Sequence, residues 1–308
     1  MFRWSFKSFF SLLKQAMRSF IEREPFNNSV IVAYYTIFSL PGLLVIVINV
    51  AGYFFGKQAV TNQISNQIGS LVGADTAKDI QNMVLAARVS NGTVLSTILS
   101  IATLLFGATG VFYQVQQILN KIWEVKPKPK QKILKLIRDR LFSFGLILVV
   151  GFLLLVSLVL SAALTAFSEW FSNNITDALP VLFSILDILL SVAVVTLLFA
   201  AIFKFLPDVH VAWKDVLPGA LVTAALFSIA KFALGLYFGK SDPTSAYGAA
   251  GTIVLIMLWV SYAGMILFYG AEFTKVYTTR DGKRVEPTDT AQYAKPKKKD
   301  PERVLTGR

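Results

Sequence analysis

The sequence contains no cysteine and a single histidine, His210, in its 308 residues. Disulfide bonds, thiol nucleophiles and thiolate metal sites are therefore excluded. A zinc-dependent hydrolase needs several histidine and carboxylate ligands around its metal, and this sequence is poor in them. It also lacks a phosphate-binding glycine loop and a serine-centred nucleophile elbow. We therefore expect no enzymatic activity, no catalytic residue, no metal and no cofactor.

Charge is also scarce, because only 16% of residues are charged whereas 55% are hydrophobic. Much of the hydrophobic sequence lies in six long stretches with almost no charge: 30–56, 93–119, 141–167, 181–203, 216–238 and 247–271. A helix of about 20 apolar residues crosses a hydrocarbon core of roughly 30 Å. The pattern predicts an all-α polytopic membrane protein with six transmembrane helices, forming one membrane domain over residues 25–279.

Lysine and arginine are concentrated before the first stretch, between the second and third, and after the sixth. Six crossings place these three segments on the same side, and short loops rich in lysine and arginine stay cytoplasmic. The sequence therefore predicts that both termini are cytoplasmic (N-in/C-in). Contact with anionic lipid headgroups accounts for the net charge of +12. We expect no nucleic-acid partner, because no RNA-binding fold has room to form.

Three further segments flank or interrupt the spans. Residues 1–24 have apolar and basic residues at helical spacing, which predicts an amphipathic interfacial helix; packing of this helix against the bundle is the alternative. Residues 57–92 are too polar to span and predict a helical outer cap, which either seals the bundle or gates an opening between helices. Residues 280–308 predict a basic disordered cytoplasmic tail.

Two ionisable residues lie inside predicted spans, Asp187 in the fourth and Lys231 in the fifth, each about seven residues from the outer end. A charge at a helix centre costs about 2.5–3.5 kcal/mol and is seldom kept without a partner. The two helices are antiparallel and the depths match, so we expect the side chains to face each other. They form either a structural ion pair or a polar subsite for a headgroup, an ion or a proton.

Other polar or irregular positions complete the set of candidates. Pro41 and Gly42 interrupt the first stretch and predict a hinge, because proline removes a backbone hydrogen bond. The remaining candidates for a substrate pathway are Asn49 in the first stretch, Trp259 in the sixth and Glu272 at its cytoplasmic end. Trp259 either packs inside the bundle or stacks on a ligand, and Glu272 is either a structural clamp or a relay. Interhelical hydrogen bonds are predicted at the end of the second stretch, from Gln114, Gln116, Gln117 and Asn120.

Several motifs resemble the YihY/BrkB family of bacterial inner-membrane proteins. They are AYY at 33–35, FSLP at 38–41, LNKIWEV at 119–125, LPD at 206–208, WKD at 213–215, YGAAG at 247–251, LWVSY at 258–262 and GAE at 270–272. The resemblance covers roughly residues 10–280. It implies a multi-pass inner-membrane protein with six helices, linked by its family name to virulence and suspected in some members of moving lipids. Members have also carried the label ribonuclease BN, which the single histidine argues against.

Two functions remain open from the sequence. The first is a transporter or flippase of a lipid or another amphiphilic envelope component, with a lateral opening between helices and with Asp187, Lys231, Asn49 and Glu272 as polar steps. Such transport is passive or ion-coupled, since the chain lacks a nucleotide-binding motif. The second is a non-transporting scaffold that maintains the cell envelope. Homo-oligomerisation is open as well. Replacing Asp187 and Lys231 together with apolar residues separates the two functions, because only a scaffold tolerates the change.

Overall fold

The computed structural model describes residues 6–56, 58, 60–62, 64–65, 69, 77–82, 110–128, 145, 179–240, 250–280 and 282–294. These residues include the five helices α1 (Phe6–Glu22), α2 (Pro25–Phe55), α3 (Leu179–Phe205), α4 (Trp213–Lys240) and α5 (Gly251–Thr279), and the two strands β1 (Val125–Pro127) and β2 (Ala291–Tyr293). Residues 110–122 form a further helical segment directly before β1.

Four described helices are long and apolar enough to cross a membrane. The apolar parts are Pro25–Asn49, Ile185–Phe205, Trp213–Leu234 and Gly251–Thr279. They coincide with the predicted first, fourth, fifth and sixth spans. The predicted second span is described only from residue 110 onward and the third only at residue 145. The total of six crossings and the N-in/C-in topology therefore stay predictions.

The main core lies where the α3–α4 connection meets the helical segment 110–122. Its largest buried side chains include Leu119 from that segment, Phe203 of α3 and Phe268 of α5. Val216 of α4 is fully buried in the same cluster. Burial of large side chains such as these contributes roughly 1.5–3 kcal/mol each in water, and tight packing takes over this role where the surroundings are lipid. One end of the bundle is thus closely packed.

Helix α1 packs against α5, as in the bundle-packed alternative that the sequence left open. Ala16 is fully buried, and the rings of Phe9 and Phe20 contact Phe273 and Tyr269 edge-on, with centroids 5.9 and 5.7 Å apart. The other side of α1 exposes a second apolar stripe, formed by Phe10, Met17 and Ile21. The placement of this exposed stripe in the headgroup region stays a prediction.

Helix α2 starts at Pro25, whose missing N–H is not needed in a first helical turn. The left-handed backbone of Glu24 (φ 53°) separates α2 from α1. The helix continues through Pro41 and Gly42 without a break. The predicted interruption is therefore absent from the backbone of α2, and a hinge motion there stays a prediction.

The predicted outer cap is described only in part. Residues 60–62, 64–65 and 77–82 are helical, in agreement with the prediction. Val60 and Ile80 are buried in a cluster with residues of α2 and with Ile256 of α5. Thr252, at the start of α5, donates a hydrogen bond to the Asp79 carboxylate at 2.6 Å. These contacts place the described part of the cap over one end of α2 and α5.

Residues 282–294 are ordered, so the prediction of a disordered tail over 280–308 is wrong for this part. Strand β2 pairs antiparallel with β1, with Val125 opposite Tyr293 and Pro127 opposite Ala291. The Ala294 N–H also donates to the carbonyl of Glu124 at 2.7 Å. The sequence did not predict this strand for two reasons. The segment around it is rich in charge, and its partner β1 lies more than 160 residues earlier in the chain. The rest of the tail, 295–308, lies outside the described residues.

Candidate functional site

Arg23, between α1 and α2, is the centre of a charged cluster at the C-terminal end of α5. Its Nη1 donates to the carbonyl of Lys121 at 2.8 Å, and its Nη2 donates to Oε1 of Glu124 at 2.8 Å. Its Nε lies 2.7 Å from Oε1 of Glu272. A planar guanidinium can serve several acceptors at once, which a lysine ammonium cannot do with the same geometry. Arg23 thereby joins α5 to the end of the helical segment 110–122.

Glu272 is the buried member of this cluster, with its side chain 1% exposed. The 2.7 Å contact with Arg23 is close enough for an ion pair, although its angles are not those of a hydrogen bond. The second oxygen, Oε2, is buried and accepts no hydrogen bond within the described part of the chain. The ion pair with Arg23 fits the predicted role of Glu272 as a structural clamp. The Oε2 oxygen, which accepts no hydrogen bond among the described residues, fits its predicted role as a relay.

Glu124 is the exposed member, with its side chain 62% exposed. Its Oε1 accepts hydrogen bonds from Lys275 Nζ at 2.7 Å and from Arg23 at 2.8 Å. The hydrogen bond from Lys275 lowers the pKa of Glu124 most; the charge of Lys275 and the contact with Arg23 lower it further, against an opposing effect of partial burial. The exposed carboxylate therefore contacts two cations, whereas the buried Glu272 contacts one directly.

A second polar group, buried beside this cluster, links the helical segment 110–122 to the α3–α4 connection. Asn120 Nδ2 donates to the Asp208 carboxylate at 2.8 Å, and the backbone N–H of Asp208 donates to Asn120 Oδ1 at 2.8 Å. Gln116 donates to the other carboxylate oxygen at 3.5 Å. The side chains of Asn120 and Asp208 are almost fully buried. Two of the four predicted donors, Asn120 and Gln116, thus donate hydrogen bonds, but their acceptor lies in the connection between α3 and α4 and not within a helix.

The other candidate residues lie towards the opposite ends of their helices. Asp187 is eight residues into α3, Lys231 is nine residues before the end of α4, and Trp259 is eight residues into α5. At 1.5 Å per residue these positions are about 12–14 Å from the three helix ends. Asp187 is half-buried and Lys231 is exposed. Their predicted pairing stays a prediction.

Trp259 has a polar atom without an acceptor. Its ring packs edge-on against Phe227 of α4, with centroids 5.5 Å apart, and its Nε1 is buried without a hydrogen-bond acceptor among the described residues. Phe227 precedes Lys231 by one helical turn, so both lie on the same face of α4. The ring of Trp259 therefore packs against α4, as the bundle-packed alternative requires.

Asn49 has its hydrogen bond within its own helix, because Nδ2 donates to the carbonyl of Val45 at 2.8 Å. Its side chain is exposed and reaches neither Glu272 nor Arg23, which lie towards the other end of the bundle. Pro41 is half-buried and Gly42 is buried. Within the described ranges, no group of three or more histidine, cysteine or acidic residues could hold a metal ion.

The sequence did not predict a site role for Arg23, Glu124, Lys275 or Asp208. Glu124 and Asp208 nevertheless fall inside the motifs LNKIWEV and LPD that carry the family resemblance, and Glu272 falls inside GAE. Joining these motifs in space would have pointed to the cluster. Arg23 has no such signal, since it is one of many basic residues near the N-terminus.

Comparison with known proteins gives a consistent result. The profile of the Virulence factor BrkB family matches residues 16–294. A UPF0761 membrane protein of Tolumonas auensis is 26% identical over 286 residues, 88% of each chain. A UPF0761 membrane protein of Saccharophagus degradans is 24% identical over 85% of this chain and 58% of its own length. A third, from Pseudoalteromonas translucida, is 24% identical over 80% of this chain and 79% of its own. No solved structure matches the chain.

Proposed function

This chain belongs to the Virulence factor BrkB family of membrane proteins, and on that premise we propose that it transports a lipid or another amphiphilic envelope component across the bacterial inner membrane. One observation carries the proposal. Three apolar helices place Asp187, Lys231 and the Trp259 indole N–H at matching distances from their ends. Polar groups at one depth along apolar helices, with Lys231 exposed and Asp187 half-buried, suit the passage of a charged headgroup.

The energetic cost of this layer favours a functional role. A lysine within a span costs about 2.5–3.5 kcal/mol on insertion scales, yet Lys231 is exposed on α4. The buried Trp259 N–H, without an acceptor, adds a further cost of roughly 1–3 kcal/mol. Both groups donate hydrogen bonds, so a phosphate or carboxylate on a passing amphiphile satisfies both.

The proposed orientation follows from the distribution of charge. With both termini in the cytoplasm, the Arg23 cluster and the β1–β2 sheet face the cytoplasm, and the Asp187–Lys231 layer lies in the outer half of the membrane. The exposed stripe of α1 then lies in the inner headgroup region, where Lys14 and Arg18 reach anionic lipids. The protein acts in this proposal without catalysis, cofactor or nucleic acid.

Trans-bilayer movement of fluorescent phospholipids in proteoliposomes tests the proposal. We expect the wild-type protein to move lipid faster than empty liposomes, with and without an imposed proton gradient. Lys231→Met and Asp187→Asn should lower the rate at least about tenfold, which corresponds to about 1.4 kcal/mol in the barrier. Probes with anionic and zwitterionic headgroups distinguish substrates.

Lys214→Met is the matched control, because it makes the same change in α4 at an exposed position in its first turn. We expect it to retain the wild-type rate. Thermal unfolding and gel filtration verify that each variant is folded. If the folded, inserted wild-type protein moves none of the probes faster than empty liposomes, phospholipid transport is wrong and the scaffold function gains support.

A further inference from the structure

We propose that Oε2 of Glu272 is a proton-binding site, where a proton from the predicted cytoplasmic side neutralises the carboxylate and loosens its link to Arg23. The structure suggests this through an unequal distribution of partners. The 62% exposed Glu124 accepts hydrogen bonds from both Arg23 and Lys275, whereas the 1% exposed Glu272 has, among the described residues, a single direct ion-pair contact, on Oε1.

If the cluster served stability alone, the buried Glu272, and not the exposed Glu124, would contact both cations. An exposed ion pair contributes about 0–1 kcal/mol, whereas a buried charge with too few partners is strongly destabilising. A clamp selected only for stability would direct Lys275 to Glu272, which is three residues away on α5 and so on a neighbouring helical position. The Lys275 ammonium instead lies 2.7 Å from Glu124. The buried carboxylate thus retains an unused oxygen.

A proton fits this oxygen better than a metal cation does. A single carboxylate oxygen offers too few ligands for a metal. A proton needs one lone pair only. It adds to Oε2 to form an O–H bond, and it turns a buried anion into a neutral carboxyl whose cost of burial is far lower.

The surrounding charges allow this change without creating a new unpaired ion. Arg23 retains its hydrogen bonds to Glu124 and to the carbonyl of Lys121 when Glu272 is neutral. Lys275 retains Glu124. Glu22, at the end of α1, also faces the cluster and is paired with Arg18 at 3.2 Å. Protonation of Glu272 therefore weakens its contact with Arg23, which lies between α5 and the α1–α2 junction.

Glu124 marks the solvent side of the buried carboxylate, because it is 62% exposed and contacts the same guanidinium as Glu272. The proposal does not rest on lipid transport, although a proton site at the end of a spanning helix would supply ion coupling to it. The test below contains no transport step, so the two proposals can fail separately.

Infrared difference spectroscopy during acid titration tests the site in the full-length protein in nanodiscs. We expect a carbonyl stretching band from a protonated carboxyl to appear in one step while the protein remains folded. Labelling the glutamate carboxyls with ¹³C should shift the band. Glu272→Gln should abolish it, and Glu124→Gln should retain it.

Glu272→Asp keeps the test decisive if the glutamine variant does not fold. In that variant the ¹³C label is absent from position 272, so the band should no longer shift. A purely structural ion pair predicts no band from residue 272 at any pH at which the protein is folded, and that result overturns the proposal. A band that persists in Glu272→Gln, or that still shifts with the ¹³C label in Glu272→Asp, overturns it as well.

Discussion

The side chain of Thr274 on α5 lies directly against the backbone of Gly219 on α4, and Thr223 of α4 lies in the same way against Gly270 of α5. Each threonine hydroxyl donates to the carbonyl of the glycine four residues earlier in its own helix, at 2.8 Å for Thr274 and 2.7 Å for Thr223. Both polar groups are thus satisfied without crossing between helices. The arrangement lets two apolar helices approach closely, which is how helices associate where lipid tails are equally apolar.

The first prediction concerns these two glycines. A methyl group at Gly219 would overlap the Thr274 hydroxyl and lie 2.9 Å from its Cβ, and one at Gly270 would meet Thr223 equally closely. We expect Gly219→Ala and Gly270→Ala each to destabilise the protein by about 1–3 kcal/mol, because the helices must move apart. Thermal unfolding in detergent, followed by tryptophan fluorescence, measures the effect.

Gly110→Ala is the control for this prediction. Among the described residues, its new methyl group would meet only Tyr35 Cδ1, at an ordinary contact distance of 3.7 Å. Alanine also has a higher helix propensity than glycine, by about 1 kcal/mol. We therefore expect Gly110→Ala to unfold at or above the wild-type temperature. Equal melting temperatures for all three alanine variants would contradict the close-approach interpretation.

The length and apolarity of the spans were predictable from sequence because they depend on local composition. The four described helices that are long enough to span lie where stretches of more than 20 residues with almost no charge predicted them. Strand β2 was not predictable in this way. Its three residues carry a weak local signal, and its stability depends on pairing with β1 from a remote part of the chain.

The residues of the candidate site also differ in whether local sequence predicts their role. Glu272 was identifiable because an acidic residue at the end of an apolar helix is costly and therefore rare. Arg23 was not, since its importance comes from three acceptors that lie about 100 to 250 residues later in the chain. Asn120 was expected to bond to a neighbour, but sequence alone did not identify Asp208 as the partner.

The second prediction concerns the reciprocal pair of Asn120 and Asp208. Asn120→Ala removes the donor to a buried carboxylate and the acceptor of a buried N–H. We expect a loss of about 1–3 kcal/mol, towards the upper end because one partner is charged. Asn120→Asp should be no better at neutral pH, because it places two carboxylates together. Thermal unfolding checks both variants.

Asn27→Ala is the matched control for that pair. Asn27 is exposed and makes a single long hydrogen bond of 3.4 Å, to Glu24. We expect its removal to change stability by less than about 0.5 kcal/mol. If Asn120→Ala were as mild as Asn27→Ala, the buried pair would contribute little to the packing of the α3–α4 connection.

The third prediction concerns pH. The pKa of Glu124 is lowered in the folded protein, chiefly by the hydrogen bond from Lys275. Its ionised form therefore stabilises the fold fully above the unfolded pKa of about 4.3, and this contribution is lost as the pH falls through the lower folded pKa. We expect the melting temperature of the wild-type protein to fall more steeply on acidification than that of Glu124→Gln.

The contribution is modest, since Glu124 is largely exposed and solvent screens its ion pairs. Melting temperatures measured from pH 7 to pH 3 in detergent provide the comparison. Glu286→Gln, at an exposed side chain away from the cluster, should follow the wild-type curve. Parallel curves for Glu124→Gln and the wild type would show that the contact with Lys275 does not stabilise the fold.

The fourth prediction concerns the segment after α5. Deleting residues 282–308 removes β2 and leaves several backbone groups without partners, among them the Lys128 N–H, which donates to Thr290 at 3.0 Å, and the His210 N–H, which donates to Glu286 at 2.9 Å. The net contribution of each such bond is about 0.5–1.5 kcal/mol. We expect a loss of a few kcal/mol, seen as a lower melting temperature and faster proteolysis near β1.

Deleting only residues 295–308 separates the ordered strand from the charged sequence that follows it. This shorter deletion keeps the hydrogen bond from Ala294 to Glu124 and the pairing of Tyr293 with Val125. It removes lysines and arginines that, on the sequence prediction, make no packed contacts. We expect its melting temperature and proteolysis near β1 to match those of the full chain. Because the two deletions share every residue removed from 295 onward, a loss seen only in the longer one must come from residues 282–294. Equal losses in both would instead assign the stability to the charged tail.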